Sequence, residues 1–192
     1  MMIWFLNFSQ TVGDSATISY AIKFQNELNA SYYDSVKSPL IRTDRLKFTG
    51  LKFFPINLNF CVLADFVRTP DEKVFEMVTS GAKRPHFVKY GELHFIISEK
   101  KYKLNAYKSV HPLVKKEEEN YLFIPFNDLT NGKETYEGGR FMDIEIPKDK
   151  QLILDFNTCY HPLCAYNHKY SCPKPPAENL LNVEIKAGVK LK

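Results

Sequence analysis

The stretch INLNFCVLADFV, residues 56–67, constrains this chain more than any other. One set of alternate positions is wholly apolar: Ile56, Leu58, Phe60, Val62, Ala64 and Phe66. The other set is mixed: Asn57, Asn59, Cys61, Leu63, Asp65 and Val67. A period of two sends successive side chains to opposite faces of a pleated strand, so this segment has to lay one face on a core.

The same pattern continues downstream. VFEMVT (74–79) follows the turn signal RTPDEK and reads as the hairpin partner of 56–67. PHFVKY, ELHFII and YKLNAY come next, separated by Gly91 and by the turn SEKK. YLFIPF (121–126), GRFMDIEI (139–146) and LILDFN (152–157) follow, the last two joined by PKDK as a short hairpin loop. The tail NVEIKAGVKLK alternates as one closing strand. About eight or nine strands with turns every ~8–12 residues point to a sandwich or a barrel. Aromatics reach 14%, as 15 Phe and 11 Tyr against one Trp, and large rings favour pleated surfaces.

Before the strands, Ile18, Ala21, Ile22, Leu28 and Tyr32 recur at helical spacing. They predict a helix over 17–33, N-capped by Asp14 or Ser15 and ending before Pro39. Helix–strand alternation is absent, which excludes a doubly wound sheet. The expected fold is mainly β: a single antiparallel barrel or sandwich-like domain with an N-terminal α-helix.

A length of 192 residues fits one domain with one core. The net charge of +4 arises from 26 basic and 22 acidic residues mixed along the chain, and the longest charge run, KKEEEN (115–120), carries both signs and reads as a solvated connection. No basic stripe interleaved with aromatics occurs, so nucleic acid is excluded as a partner. No apolar run approaches the ~20 residues of a membrane span. The start, MMIWFLNFSQ, is almost wholly apolar through Phe8. It reads either as a signal-peptide remnant or as a first element of the domain. The remnant is the expectation, with residues 11–192 as a single β-rich domain and an extracytoplasmic location.

Three stretches carry candidate chemistry. FNDLTNGKETYEGGR (126–140) is a polar loop in which Gly138 and Gly139 free the backbone before Arg140. Arg140 would hold an anionic or carbonyl group; the structural alternative is that it pairs with Asp128, Glu134 or Asp143. LDFN, ending in Asp155 and Asn157, feeds a loop with Tyr160, Tyr166, Asn167 and Tyr170, whose phenol and amide groups would orient a ligand on a pocket wall or satisfy the loop's own backbone. Cys159, His161, Cys164, His168 and Cys172 fall close together. They leave open a zinc site, a disulfide Cys164–Cys172 worth roughly 2–3 kcal/mol, or a cysteine nucleophile activated by His161 or His168.

The C-terminal block FNTCYHPLCAYNHKYSCPKPPAENLLNVEIKAGVK (156–190) resembles the signature of a bacterial and archaeal family known as domain of unknown function 1684. The matching positions are Phe156, Asn157, Tyr160, Pro162, Cys164 to Asn167, Tyr170, Cys172, Pro173, Pro175, Pro176, Glu178, Asn179, Ala187 and Gly188. DLTNGKETYEGGRFMDIEIP resembles a second block through Asp128, Thr130, Gly132, Thr135, Tyr136, Gly139 and Arg140. FTGLKFFPIN (48–57) and YGELHF (90–95) are similar to earlier blocks. His161 stands where the family pattern has Asn, and Cys159 and His168 lie outside the pattern, so the resemblance implies no shared zinc site. It keeps Cys164 and Cys172 as a pair, and members often begin with an export signal ending near FSQ, as Phe8-Ser9-Gln10 does here.

These readings converge on an exported β-domain of unknown function, with no metal or cofactor, that binds a small or polymeric ligand between the 127–140 and 157–179 loops. The ligand-binding residues would be Asp128, Tyr136, Arg140, Asn157, Tyr160, Tyr166, Asn167, Tyr170, Glu178 and Asn179, with Cys164 and Cys172 bridged. The alternative is a hydrolase using Asp128, Glu134, Asp155 or Glu178 as acid or base, or Cys164 as nucleophile. A third reading is a structural module of an envelope complex.

Overall fold

The structure, a computed structural model, describes residues 8–110 and 119–191, with side chains from Ser15 onward. Residues 1–7 of the apolar start and most of the KKEEEN run lie outside the described residues. The described residues form α1 (Phe8–Tyr33) and a short α2 (Arg42–Leu46), then ten strands. These are β1 (Lys52–Phe53), β2 (Cys61–Arg68), β3 (Phe75–Glu76), β4 (His86–Ile97), β5 (Lys100–Ser109), β6 (Tyr121–Asp128), β7 (Arg140–Glu145), β8 (Gln151–Asp155), β9 (Leu180–Leu181) and β10 (Val189–Lys190).

The main sheet runs β7-β6-β5-β4-β2-β8, with β3 added on β4 and β9 on β6. It curls into a half-barrel. Neighbours along this path are antiparallel, and β9 pairs in parallel, on β6. The expected fold class therefore holds, with one sheet curling on itself rather than two sheets stacking. The apolar face of the 56–67 run does enter the core: Ala64 and Phe66 are buried while Leu63 and Val67 are exposed. Leu93, Phe95, Leu104, Ala106, Leu122, Ile124, Phe126, Met142, Leu154 and Phe156 complete the concave core.

Several local expectations are corrected. The partners of β2 are β4 and β8, and 74–79 contributes only the two-residue β3, which pairs with β4. PHFVKY and ELHFII are one strand, whose register shifts between Lys89 and Gly91. The Phe66 ring lies over Gly91 so closely that a Cβ there would come within 2.5 Å of it. Finally, β7 and β8 are joined by a short connection but do not pair; they are the two ends of the sheet path, facing each other across an open seam. Helix α1 begins at Phe8, well ahead of the expected cap at Asp14 or Ser15, and ends at Tyr33 before Pro39 as expected. The alternating tail supplies only β10, which pairs with β1.

The β5–β6 ladder shows a single register pair, Tyr107 with Phe123. Pro125 has no N–H to offer β5. Asn179, from the turn Ala177–Asn179, fills the gap with its side-chain amide. Its Oδ1 accepts from the Asn105 N–H at 2.8 Å, and its Nδ2 donates to the carbonyls of Asn105 (2.9 Å) and Pro125 (2.7 Å). A side chain thus completes the sheet where the backbone cannot.

Candidate functional site

Arg140 begins β7 facing inward, and its side chain is 0% exposed. A guanidinium in such a place needs partners for its charge and its donors. Nη2 donates to Asp128 Oδ2 at 2.7 Å and to the Ile185 carbonyl at 2.7 Å, and Nη1 donates to the Ala187 carbonyl at 2.5 Å. Asp128 is equally committed: its Oδ1 accepts from the N–H and Oγ1 of Thr130, at 2.8 and 2.6 Å. The structural alternative for this pair therefore describes it, and neither group lies open to a ligand.

Asn157 and Asn179 behave alike, both fully buried. Asn157 Oδ1 accepts from the Asn57 N–H at 2.9 Å, its Nδ2 donates to the Asn57 carbonyl at 3.1 Å, and its own carbonyl accepts from Gln25 of α1 at 3.1 Å. Asn167 donates to the Pro39 carbonyl at 2.8 Å. Tyr160 donates its hydroxyl to Asp143. These amides and phenols lock loops together. Glu178 is exposed on its turn, and Glu134 pairs with Lys186 at 3.1 Å, so the four carboxylates weighed as acid or base do not converge.

Cys159, His161, Cys164, His168 and Cys172 do not converge either. Cys159 packs in the concave core, His168 is exposed, and no three His, Cys, Asp or Glu side chains among the described residues are placed to hold a metal. His161 is buried and uses both nitrogens: Nε2 accepts from the Tyr136 N–H at 3.1 Å, and Nδ1 lies 3.1 Å from the Tyr166 hydroxyl. Nε2 as acceptor leaves Nδ1 as the donor to Tyr166, whose hydroxyl meets Tyr32 of α1. Burial, helped by the Arg140 charge, lowers the His161 pKa to about 3, so the ring is neutral.

The expected bridge between Cys164 and Cys172 is not formed: both are free thiols. The sulfurs meet as hydrogen-bonding partners, and Cys172 Sγ also accepts from the Cys164 N–H at 3.1 Å. The loop is held instead by backbone bonds to the turn after β3. Ser80 N–H donates to the Cys172 carbonyl at 2.8 Å, and Lys174 N–H to the Val78 carbonyl at 2.8 Å. The thiol pair sits with Phe141 on the convex face of the sheet, ringed by Phe123, Tyr136, Tyr160 and Tyr170. Burial raises Cys172 to about 11 and Tyr136, which contacts Cys164, to about 12. Cys172 and Tyr136 therefore keep their protons at neutral pH.

Over this pair opens a cleft of about 500 Å³, walled by Asn127, Tyr136, Glu137 and Gly138 on one side and by Pro162, Cys164, Cys172, Pro173, Lys174 and Pro175 on the other, with Ser80 as a third wall. The two loops singled out from the sequence are its walls. Of the expected ligand-binding residues, Tyr136 lines it, and Tyr170 lines an adjoining recess with Ser80, Gly81 and Cys164. The Ser80 turn was missed; its only signal is the Ser-Gly dipeptide that follows VFEMVT. Gly139 has φ +88°, and a Cβ there would come within 2.6 Å of the Pro175 ring, so only glycine allows the walls to close this tightly.

A curled antiparallel half-barrel with an N-terminal helix and a thiol-floored cleft on its convex face is the class of protein that the fold and site define. A family model described as protein of unknown function DUF1684 matches residues 46–190, and the chain belongs to that family. Among solved structures, it is similar to an uncharacterised protein from gene locus rrnAC0354 of Haloarcula marismortui, determined in solution by NMR. The two are 27% identical with a TM-score of 0.73, over 96% of this chain and 98% of that one. No curated protein matches. No helix among the described residues is long and apolar enough to cross a membrane.

Proposed function

We propose that this protein is a binding domain whose ligand is a small, uncharged, partly apolar molecule held in the cleft over Cys164 and Cys172. The observation that carries this reading is the cleft's floor. It is made of thiols and a phenol, with Cys172 and Tyr136 protonated at neutral pH, beside the rings of Pro162, Pro173 and Pro175; the two charged residues that line the cleft, Glu137 and Lys174, are exposed and of opposite sign. Apolar walls with a few convergent polar groups are what small-molecule sites share. The same composition argues against hydrolysis in this cleft. None of the carboxylates weighed as acid or base, Asp128, Glu134, Asp155 and Glu178, lines the cleft, whose one carboxylate is the exposed Glu137, and His161 spends both ring nitrogens on Tyr136 and Tyr166 rather than on Cys164. Export remains part of the proposal, on the strength of the apolar start, and the intact mass of protein from its native host would show trimming near Gln10.

The test is competition at the thiols. A library of neutral aromatic and heterocyclic compounds is screened by ligand-observed NMR, and hits are re-examined for their effect on iodoacetamide labelling of Cys164 and Cys172. Hits that slow labelling at both thiols, and lose this effect in Tyr136→Ala, support the cleft. Hits that bind without changing either rate would place the ligand elsewhere and end this reading.

A further inference from the structure

The open seam between β7 and β8 forms a second cleft of about 660 Å³. Its walls carry Asp143, Glu145, Asp149 and Asp155, against Lys148 as the basic residue, on a chain whose net charge is +4. Tyr20 of α1 and Tyr121 of β6 add ring faces. Acidic side chains alone would be an ordinary solvated edge. Asp155 makes the difference.

Asp155 is 9% exposed and ends β8. Its Oδ1 accepts twice from Asn157, from the backbone N–H at 2.9 Å and from Nδ2 at 2.7 Å. Its Oδ2 is buried without any hydrogen-bond partner. Protonation does not cure this: a carboxyl O–H would lack an acceptor just as the carboxylate lacks a donor. Leaving such an oxygen unpaired is costly unless a donor arrives from outside the chain. Burial also pushes the Asp155 pKa up, as expected of a carboxylate short of cationic company.

Asp143 and Glu145 are two residues apart on one strand, so they leave the same face about 7 Å from one another. Asp155 stands across the seam from them. Asp143 already accepts the Tyr160 hydroxyl, leaving Glu145 and Asp155 as the main anchors. No three of these carboxylates are placed for a single metal ion among the described residues, so the negative charge is spread along the groove. We infer that the β7–β8 seam binds a linear organic cation carrying two or more ammonium groups, with Asp155 Oδ2 and Glu145 accepting from separate ammonium groups and Tyr20 and Tyr121 packing on the methylenes between them. Charge-assisted hydrogen bonds to one recessed and one exposed carboxylate, with rings beside the cation, are the interactions that select an amine over water.

The experiment titrates the full-length protein with spermidine, monitored by calorimetry and by backbone amide shifts, with butylammonium chloride and magnesium chloride as comparison titrants. Asp155→Asn keeps the Asn157 contacts through its remaining oxygen, and Glu145→Gln changes an exposed side chain, so both variants should fold. The inference expects saturable one-to-one binding of spermidine with shifts confined to β7, β8 and the Tyr20 turn of α1. Each variant should weaken it by about tenfold, the loss of one charge-assisted hydrogen bond. Butylammonium should bind more weakly than spermidine. Absence of saturation at millimolar spermidine, equal binding by both variants, or tighter binding of magnesium at the same residues would overturn it.

Discussion

A histidine that stays neutral ties stability to pH through one side chain. The His161 pKa falls from 6.5 in the unfolded chain to about 3 in the folded one, because burial and Arg140 disfavour its charge. Between those values the unfolded state binds the extra proton, so the contribution is complete above pH 6.5 and is lost as pH falls toward 3. The slope is at most about 1.4 kcal/mol per pH unit for a single group. Urea unfolding midpoints from pH 7 to pH 4 should show this decline, and His161→Asn should flatten it. An unchanged slope in the variant would locate the acid sensitivity in other groups. The sequence presented His161 as a metal or catalytic candidate. What it could not show was that Tyr136 and Tyr166, from separate turns, would occupy both ring nitrogens.

At the scale of elements, the hairpin β4–β5 and the split between β5 and β6 predict opposite behaviour. β4 and β5 share ten register pairs, and β4 also pairs with β2. Amides around Leu93 and Leu104 should therefore exchange slowest with solvent, near the global unfolding limit. The β5–β6 split depends on one side chain. Asn179→Ala removes three buried hydrogen bonds and should cost about 3 kcal/mol, read from denaturant midpoints. A loss below 1 kcal/mol would mean that water replaces the amide in full. The long alternating strands were legible because each shows its face in its own letters. Two-residue strands such as β3, β9 and β10 carry no period, and an asparagine that completes a sheet looks like any loop asparagine. The refusal of β7 and β8 to pair was equally hidden, since a short connection is the usual mark of a hairpin. The walls of the thiol cleft were legible from glycines, prolines and cysteines in two loops; the third wall, a plain Ser-Gly turn, was not.

For the molecule as a whole, the C-terminal segment holds a charge that the core cannot satisfy alone. Arg140 gives its donors to Asp128 and to carbonyls of Ile185 and Ala187, and β10 joins β1. Replacing Arg140 by Met should cost about 3–5 kcal/mol, as for any buried pair that loses one partner. Deleting residues 185–191 leaves the guanidinium with Asp128 alone, removes the β1–β10 pairing and should cost at least as much. The two changes combined should fall well short of their sum, because each removes the same interaction. Full additivity in equilibrium unfolding would show that Arg140 is stable without the tail.

This dependence has a consequence for synthesis. The carbonyl acceptors for Arg140, at Ile185 and Ala187, follow it by 45 and 47 residues, so until that segment emerges the guanidinium has Asp128 to balance its charge but lacks two of its acceptors. Folding on the ribosome cannot run to completion from the N-terminus. A message cut short before codon 185 yields a chain in which two of the guanidinium's acceptors are missing, so closure of the sheet serves as a check that translation has passed this point, read by the fold itself.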